Sequence, residues 1–168
     1  MSETVTVVPE LLEATPEPAP FEGLIELSRN LQAIARGVLD PTCESQGLNR
    51  LSALVLLHLY QSPNQLPSHL SFALHAQRAN IASTLRGLTE QELIVVSPSE
   101  TDRRARIVNL TDKGYAQAEK LASQLEEERR KLEDRIPPEH RERLLEGWCA
   151  LQATARTIAN ELEGAANE

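Results

Sequence analysis

The chain has 168 residues, of which 40% are hydrophobic and 3% aromatic, and its formal net charge is −8. This composition predicts one main domain with a core of Leu, Ala, Ile and Val, and only seven glycines argue against an all-β fold. No apolar run approaches the roughly 18 residues that a membrane-spanning helix needs, and the first residues lack a secretory signal pattern. We therefore expect a cytoplasmic protein that does not enter a membrane.

The N-terminal part divides into two segments. Residues 1–20 combine prolines and glutamates without any period, which predicts a disordered acidic arm. From Phe21 onwards, apolar residues recur at steps of three and four and predict a first helix that ends before Pro41. The residues of this stripe are Leu24, Leu27, Leu31, Ile34 and Val38.

The middle of the chain contains the pattern of a helix-turn-helix. Residues 48–62 predict a second helix that is apolar almost all round and ends at Pro63. Residues 68–74 predict a short third helix with Ser68 as its N-cap. After a tight turn at 75–77, residues 78–91 predict a fourth helix with a buried face. The residues of that face are Ile81, Leu85 and Leu88.

A hairpin and two long helices follow. Strand-like runs at 93–96 and 106–110 flank an arginine-rich connection, and Thr111 is placed as the N-cap of a helix that runs to about residue 135. The last helix, about 139–163, carries apolar residues spaced by four and three, as in a helix–helix interface. They are Leu144, Trp148, Leu151, Ala155, Ile158 and Leu162. This stripe could pack inside the monomer, but together with the stripe of the first helix it favours a homodimer.

Positive charge is concentrated in one region of this acidic chain. Residues 64–114 hold six Lys/Arg against five Asp/Glu, whereas the segments on both sides are net negative. The arginines lie on the fourth helix and the hairpin, and they are Arg78, Arg86, Arg103, Arg104 and Arg106. Such a distribution is typical of a protein that contacts a polyanion through one face. A merely solvated turn and helix surface is the alternative interpretation.

The remaining reactive side chains predict neither catalysis nor a cofactor. His58 lies on the apolar second helix as a core residue, and the other histidines have no partner at a metal or triad spacing. No glycine-rich phosphate loop is present. Cys43 and Cys149 share no metal-type spacing, so we expect structural thiols, although Cys43 follows a proline in a polar connection where an exposed thiol could sense oxidants.

The hairpin and its flanks resemble the MarR family of winged-helix transcription regulators. That family shows Asp-x-Arg in a wing between two strands, here Asp102-Arg103-Arg104, and then Leu-Thr-x-x-Gly at the start of a long helix, here residues 110–114. The order of elements also agrees over nearly the whole chain. The resemblance implies a mainly α fold with a small β-hairpin wing, a winged helix-turn-helix with long N- and C-terminal dimerisation helices.

The sequence departs from the family pattern at three positions. The family usually has Gly-Leu-Val-x-Arg after the recognition helix, where this chain has Glu92 and Val96 in place of the glycine and the arginine. His75 replaces the glycine that is common in the turn of the helix-turn-helix. These departures leave the fold prediction intact and raise the question of how strongly the protein binds DNA.

The resemblance also implies roles for individual residues. In a winged helix the recognition helix enters the major groove and the wing reaches the adjacent minor groove. Arg103 and Arg104 are the candidates for the wing contact, with Asp102 orienting one of them. The complete set of expected DNA-binding residues is Gln77, Arg78, Asn80, Ser83, Arg86, Arg103, Arg104 and Arg106.

These inferences combine into one functional prediction. The protein is expected to be a sequence-specific regulator that binds double-stranded DNA, a homodimeric repressor released by a small-molecule effector or another signal. A winged-helix module that binds proteins, and DNA weakly or not at all, is the alternative. The predicted parts are the arm 1–20, the N-terminal dimerisation helix and connection 21–47, the DNA-binding domain 48–114 and the C-terminal dimerisation helices 115–168.

Overall fold

A computed structural model describes residues 20–98 and 105–166. The chain divides into two compact units, and their described parts are residues 20–128 without 99–104, and residues 129–166. The arm predicted for residues 1–20 lies outside the described residues except for Pro20, at which the first helix begins. Each unit is described by itself below.

The larger unit begins with a continuous helical segment. Helix α1 (Pro20–Ile34) passes through a π-helical turn (Ala35–Leu39) into α2 (Asp40–Glu44). The prediction that this helix ends before Pro41 is wrong. A proline inside an α-helix lacks the N–H for its hydrogen bond and collides with the carbonyl four residues earlier. Here the π turn widens the helix, the Asp40 N–H donates to the Ala35 carbonyl, and Pro41 occupies the first turn of α2, where no N–H is needed.

Three short helices follow and match the predicted helix-turn-helix. They are α3 (Arg50–Gln61), α4 (Pro67–Ala73) and α5 (Arg78–Glu90). The Asn49 side chain caps α3 by accepting a hydrogen bond of 2.9 Å from the Ser52 N–H. Ser68, however, is not the cap of α4. That helix begins one residue earlier at Pro67, because the fixed φ of proline suits the first helical position, and its N-cap is Leu66.

The predicted hairpin is an antiparallel pair of strands, β1 (Ile94–Pro98) and β2 (Arg106–Leu110). In its register, Ile94 pairs with Leu110 and Pro98 pairs with Arg106. On the other side of β2, Val108 forms an isolated antiparallel bridge with Gln65 from the segment between α3 and α4. The base of the hairpin is therefore attached to the helix-turn-helix through backbone hydrogen bonds.

The core of the larger unit consists of aliphatic side chains from all of these elements. α5 buries its predicted face, with Ile81 at 1%, Leu85 at 7% and Leu88 at 0% exposure. Its partners across the core include Leu56 and Leu59 of α3 and the alternate residues of β2. Burying such side chains contributes roughly 1.5–3 kcal/mol each. Because the inner face of α5 is fixed in this core, its opposite face must lie at the surface.

Helix α6 (Asp112–Asp134) begins directly after β2. Thr111 caps it as predicted, since its Oγ1 accepts a hydrogen bond of 3.0 Å from the Gly114 N–H. The same hydroxyl donates to the Glu92 carbonyl at 2.7 Å, and the Thr111 N–H donates to the Leu93 carbonyl at 3.1 Å. A Cβ on Gly114 would lie 1.9 Å from that Leu93 oxygen. Only glycine permits this close approach between α6 and the chain that leads into β1.

The described part of the smaller unit contains the end of α6 and helix α7 (Pro138–Ala166), which are separated by residues 135–137. Arg129 pairs with Glu133 one helical turn later. Several large apolar side chains of α7 are exposed, namely Leu144, Leu145, Leu151 and Ile158. The structure does not describe the side chains of Trp148 and Leu162. In the larger unit, α1 likewise exposes Ile25, Leu27, Leu31 and Ile34.

The contact at Gly114 gives a testable prediction. Gly114→Ala should lower the free energy of unfolding by about 2 kcal/mol or more, because the added methyl meets a backbone carbonyl that cannot rotate away. Gly87→Ala is the matched control, since Gly87 lies inside α5 with nothing within 4 Å of an added Cβ. That control should gain up to about 1 kcal/mol from helix propensity. Equal free energies of unfolding for the two variants in urea titrations would contradict the packing described here.

Candidate nucleic-acid interface

The outer face of α5 carries the polar residues that the sequence assigned to DNA contact. Every one of them is exposed, while the inner face of the same helix is buried. They are Gln77, Arg78, Asn80, Ser83 and Arg86. The helix therefore presents guanidinium, carboxamide and hydroxyl groups, which are the groups that hydrogen-bond to base edges and phosphates.

The N-terminus of α5 is also a source of hydrogen-bond donors. Gln77 is its N-cap, with an extended backbone conformation, and its side chain makes no capping hydrogen bond. The first N–H groups of a helix have no partner within the helix, and together with the helix dipole they attract anions. With Arg78 as the first residue of α5, this end of the helix is suited to a phosphate or an electronegative base edge.

Of the predicted wing residues, the structure describes Arg106. It is exposed at the start of β2 and pairs in the ladder with Pro98. Arg103 and Arg104, and Asp102 that was expected to orient one of them, lie outside the described residues. Val95 is 47% exposed and Val96 is 36% exposed, so apolar surface is present on β1 where the family pattern has its arginine.

The two glycine positions at which this chain departs from the family have the same geometry. His75 follows α4 with φ 48°, and Glu92 follows α5 with φ 60°. In each turn, two backbone N–H groups close the end of the helix. The His75 N–H donates to Phe72 and the Ala76 N–H to Ser71, while the Glu92 N–H donates to Thr89 and the Leu93 N–H to Leu88. This is the Schellman arrangement, which places a left-handed residue after a helix and favours glycine there.

A cleft of about 630 Å³ lies beside the start of α5. Its wall combines aliphatic side chains, among them Leu51, Leu54 and Leu74, with the polar groups of Gln77 and Asn80. A molecule in this cleft would therefore touch two residues of the exposed face of α5. The remaining lining residues are Asp40, Glu44, Leu48, Asn49, Arg50, His75 and Ala76.

An ion pair at the cleft joins the N-terminal helical segment to α3. The Arg50 Nε and Nη2 atoms donate to the two carboxylate oxygens of Asp40 at 2.8 and 2.7 Å. The hydrogen bond from Arg50 holds the pKa of the Asp40 carboxyl below its ordinary value. Contacts of Gln46 with Gln124 at 2.5 Å and with Gln117 at 2.9 Å attach the same segment to α6. The N-terminal segment is thus linked to the helix-turn-helix by specific polar contacts.

The Cys43 thiol does not lie in an exposed polar connection. It belongs to α2 and is 3% exposed in the core, because the helix continues through Pro41. Burial raises the pKa of the Cys43 thiol, and the nearby Asp40 carboxylate acts in the same direction. A buried thiol with a raised pKa is a poor nucleophile, so the structure favours the structural role. Cys149 is exposed on α7.

The described residues offer no other reactive site. Within 20–98 and 105–166, no group of three or more His, Cys, Asp or Glu could hold a metal ion. His58 is partly buried rather than enclosed in the core. No helix in the described part of the chain has both the length and the apolar character needed to span a bilayer.

Sequence reasoning missed two polar contacts. The Asp40–Arg50 pair joins residues whose separation matches no helical period. In addition, the first helix was predicted to end at Asp40, before Pro41. Asn64 and Asn109 form a reciprocal pair between the loop after α3 and the strand β2. The only available signal was that asparagine tolerates the left-handed conformation, which Asn64 adopts with φ 61°.

Comparison of the whole arrangement with known proteins identifies its class. A helix-turn-helix followed by a two-stranded hairpin and long helices is a winged helix-turn-helix, the architecture of DNA-binding transcription regulators. A model of the MarR family matches residues 46–105, so the resemblance inferred from the sequence is confirmed for this segment. No curated protein is similar enough in sequence to match.

Solved structures share this fold over most of the chain. A MarR transcriptional regulator from Methanosarcina mazei Go1 has 18% identity and a TM-score of 0.72, covering 82% of this chain and 99% of its own. The transcriptional regulator SlyA has 13% identity and a TM-score of 0.69, with coverages of 84% and 97%. The MepR–DNA complex of S. aureus has 20% identity and a TM-score of 0.67, with coverages of 77% and 96%. At these identities the likeness establishes the fold, which is the predicted mainly helical winged helix.

The left-handed residues give a prediction about stability. A non-glycine residue in this conformation destabilises the folded state by roughly 1 kcal/mol or more. Glycine removes this strain, but it also raises the conformational entropy of the unfolded chain, which cancels part of the stabilisation. His75→Gly and Glu92→Gly should each raise the free energy of unfolding by about 0.5 kcal/mol. Gly47→Ala is the reverse control, because Gly47 has φ 70° with open space around it, and it should lose about 1 kcal/mol. A clear loss of stability in both glycine variants would show that their side chains stabilise the turns.

Proposed function

We propose that this protein is a cytoplasmic, sequence-specific transcriptional regulator that binds double-stranded DNA as a homodimer and represses transcription. The observation that carries the proposal is the division of α5 into a fully buried aliphatic face and a fully exposed polar face. Its position in the segment that matches a model of the MarR family supports DNA as the ligand. The solved MepR–DNA complex has the same fold. The family and the similar structures are transcriptional regulators, and no catalytic function is proposed.

The proposed contacts divide by chemistry between helix and wing. Gln77, Arg78, Asn80 and Ser83 stand at the start of α5 and would reach base edges in the major groove. Arg86 lies further along the helix and would contact the phosphate backbone. Arg103, Arg104 and Arg106 would reach the minor groove or its phosphates from the wing, with Asp102 as the orienting carboxylate.

The dimer is proposed from exposed apolar residues on two helices. α1 and α7 each present a row of large aliphatic side chains to solvent in the single chain. Neither row has an evident role in a monomer, because exposed contiguous apolar surface is characteristic of interaction sites. Two copies that bury these residues together would place their α5 helices on successive turns of the duplex.

A small-molecule effector would have a suitable site in the cleft beside α5. The cleft combines an aliphatic wall with polar groups, as small-molecule sites usually do. Because Gln77 and Asn80 belong to its lining, an occupant would compete with DNA for these side chains. Release of the repressor by such a ligand is part of the proposal.

Protein binding is the second candidate function. The exposed Val95 and Val96 give β1 an apolar surface in place of the cation that the family pattern has there. The acidic total of the chain also disfavours DNA away from α5 and the wing. In this case α5 and the wing would be solvated surfaces with no nucleic-acid ligand.

DNA binding is tested by substituting the helix and the wing separately. Arg78→Ala and Asn80→Ala should change which sequences are preferred and cost roughly 1–3 kcal/mol at a contacted base. Arg103→Ala and Arg104→Ala should instead weaken binding to nearly all sequences, because minor-groove and phosphate contacts carry little base identity. Lys120→Ala, an exposed charge on α6, is the control. The measurement is fluorescence anisotropy on the DNA upstream of the gene and on single-base variants of the bound site.

The bound site should be a pseudo-palindrome with half-sites roughly 34–36 Å apart. If the helix and wing variants all retain parental affinity while the parent binds specifically, α5 is not the contact surface. If the parent itself binds no DNA, the protein-binding alternative replaces the proposal.

The dimer prediction concerns α7. Removal of the residues after about Pro138 should abolish dimerisation, and the double variant Leu151→Glu/Ile158→Glu should do so with less disturbance of the chain. Gln152→Glu is a control with an added charge on an exposed neighbouring position of α7. Light scattering should give the mass of a dimer for the parent and the control, and of a monomer for the double variant. A monodisperse full-length monomer at micromolar concentration would contradict the proposed assembly.

A further inference from the structure

Two asparagines connect the wing to the helix-turn-helix through their side chains. The Asn64 N–H donates to the Asn109 Oδ1 at 2.8 Å, and the Asn109 Nδ2 donates to the Asn64 Oδ1 at 2.9 Å. Next to this pair, the residue after Asn64 and the residue before Asn109, Gln65 and Val108, exchange backbone hydrogen bonds of 2.8 and 3.2 Å. The contact therefore consists of four hydrogen bonds across two adjacent residue pairs. We refer to the side-chain pair Asn64–Asn109 as the asparagine clamp.

The clamp lies where a tilt of the wing would begin. Asn64 belongs to the segment that leads directly into α4, and Asn109 lies on the same strand as Arg106. Beyond the core, β1 and β2 are joined to each other, and the described bridge to the rest of the domain is the one at Gln65 and Val108. The core and the Thr111 hydrogen bonds hold the base of the hairpin, and the clamp adds a polar attachment beside the bridge.

Strand stability does not explain why residue 109 is an asparagine. The neighbours Val108 and Leu110 are buried at 0% and 7% exposure and anchor β2 in the core, while Asn109 points to the opposite, outward face. Its cross-strand partner there is Val95. A β-branched residue would suit an outward strand position better than asparagine, which is disfavoured in strands. The carboxamide is useful at this position because it both donates and accepts in the clamp.

We propose that Asn109 is a positioning residue for DNA recognition: with Asn64 it fixes the angle of the wing relative to the helix-turn-helix. The inference rests on the proposed DNA binding. When α5 and the wing already have their bound arrangement in the free protein, less conformational entropy is lost on DNA binding. Loss of the clamp therefore acts on DNA affinity through the wing arginines of the proposed function and leaves the contacts of α5 unchanged.

The test is a set of combined-variant titrations with a duplex that the parent protein selects from a random-sequence library. Asn109→Val removes both clamp bonds and keeps a strand-forming residue. It should weaken affinity roughly threefold to tenfold, the equivalent of one or two hydrogen bonds. In a background with Arg103→Ala, Arg104→Ala and Arg106→Ala, the same substitution should change affinity less than about twofold, because the proposed wing contacts are then already absent. In the Arg78→Ala background the full loss should persist.

Ser97→Val is the matched control. Ser97 lies on the same outward face of the hairpin, paired with Ile107, and the described structure gives it no hydrogen bond to Asn64. The affinity of Ser97→Val should equal that of the parent. Amide hydrogen exchange in the free protein supplies a readout that does not depend on DNA. The Asn64 amide should lose protection in Asn109→Val and keep it in Asn109→Asp, whose carboxylate still accepts, while the Val108 amide stays protected in both.

The outcomes separate this inference from the function on which it rests. A parent protein that selects no duplex overturns the proposed function, and the positioning role with it. A parent that binds while Asn109→Val retains full affinity, or loses the same factor with and without the three wing arginines, overturns the positioning role alone. Loss of Val108 protection in Asn109→Val would show that Asn109 supports the sheet itself, which also overturns it.

Discussion

The arrangement of the winged helix-turn-helix depends on the close contact between Gly114 and the Leu93 carbonyl. At this point the end of α5, the start of β1, the end of β2 and the start of α6 meet within a few residues. Thr111 closes the junction with its N–H on Leu93 and its hydroxyl on Glu92. A side chain on Gly114 would force these elements apart. This contact sets the point at which β1 leaves α5, since α5 reaches the junction through Glu92 and β1 begins there.

The same junction explains why the departures from the family pattern do not disturb the fold. Glu92 occupies a left-handed position where glycine would be free of strain, and His75 does so at the other end of the helix-turn-helix. Each costs roughly 1–2 kcal/mol in the folded state. The Schellman hydrogen bonds and the surrounding leucine core hold both turns in place. These residues therefore affect the stability of the domain, while the polar face of α5 retains its full set of groups.

Much of the fold could be predicted from the sequence because its periods are strong and local. The apolar spacing of α5, the two strand runs and the Thr111 cap are each determined within a few residues, and all three appear in the structure. The error at Pro41 came from applying a proline rule without its context, and the error at Ser68 came from the N-cap preference of serine, which overlooked Pro67. A π turn accepts Pro41, and the first helical position accepts Pro67. The clamp and the Asp40–Arg50 pair join distant segments, so no local pattern could indicate them.

For the site, the sequence identified which side chains face solvent on α5, since exposure follows from the buried face of the same helix. If those groups contact DNA, their positive charges neutralise phosphates, and the affinity for DNA must then depend on the salt concentration. Titrations of the full-length protein with its selected duplex should give a linear fall of log affinity with log salt concentration. The account predicts a slope of about −3 or steeper, as expected when each protomer neutralises two or more phosphates. Affinity that does not change between low and physiological salt would contradict DNA recognition through the arginines of α5 and the wing.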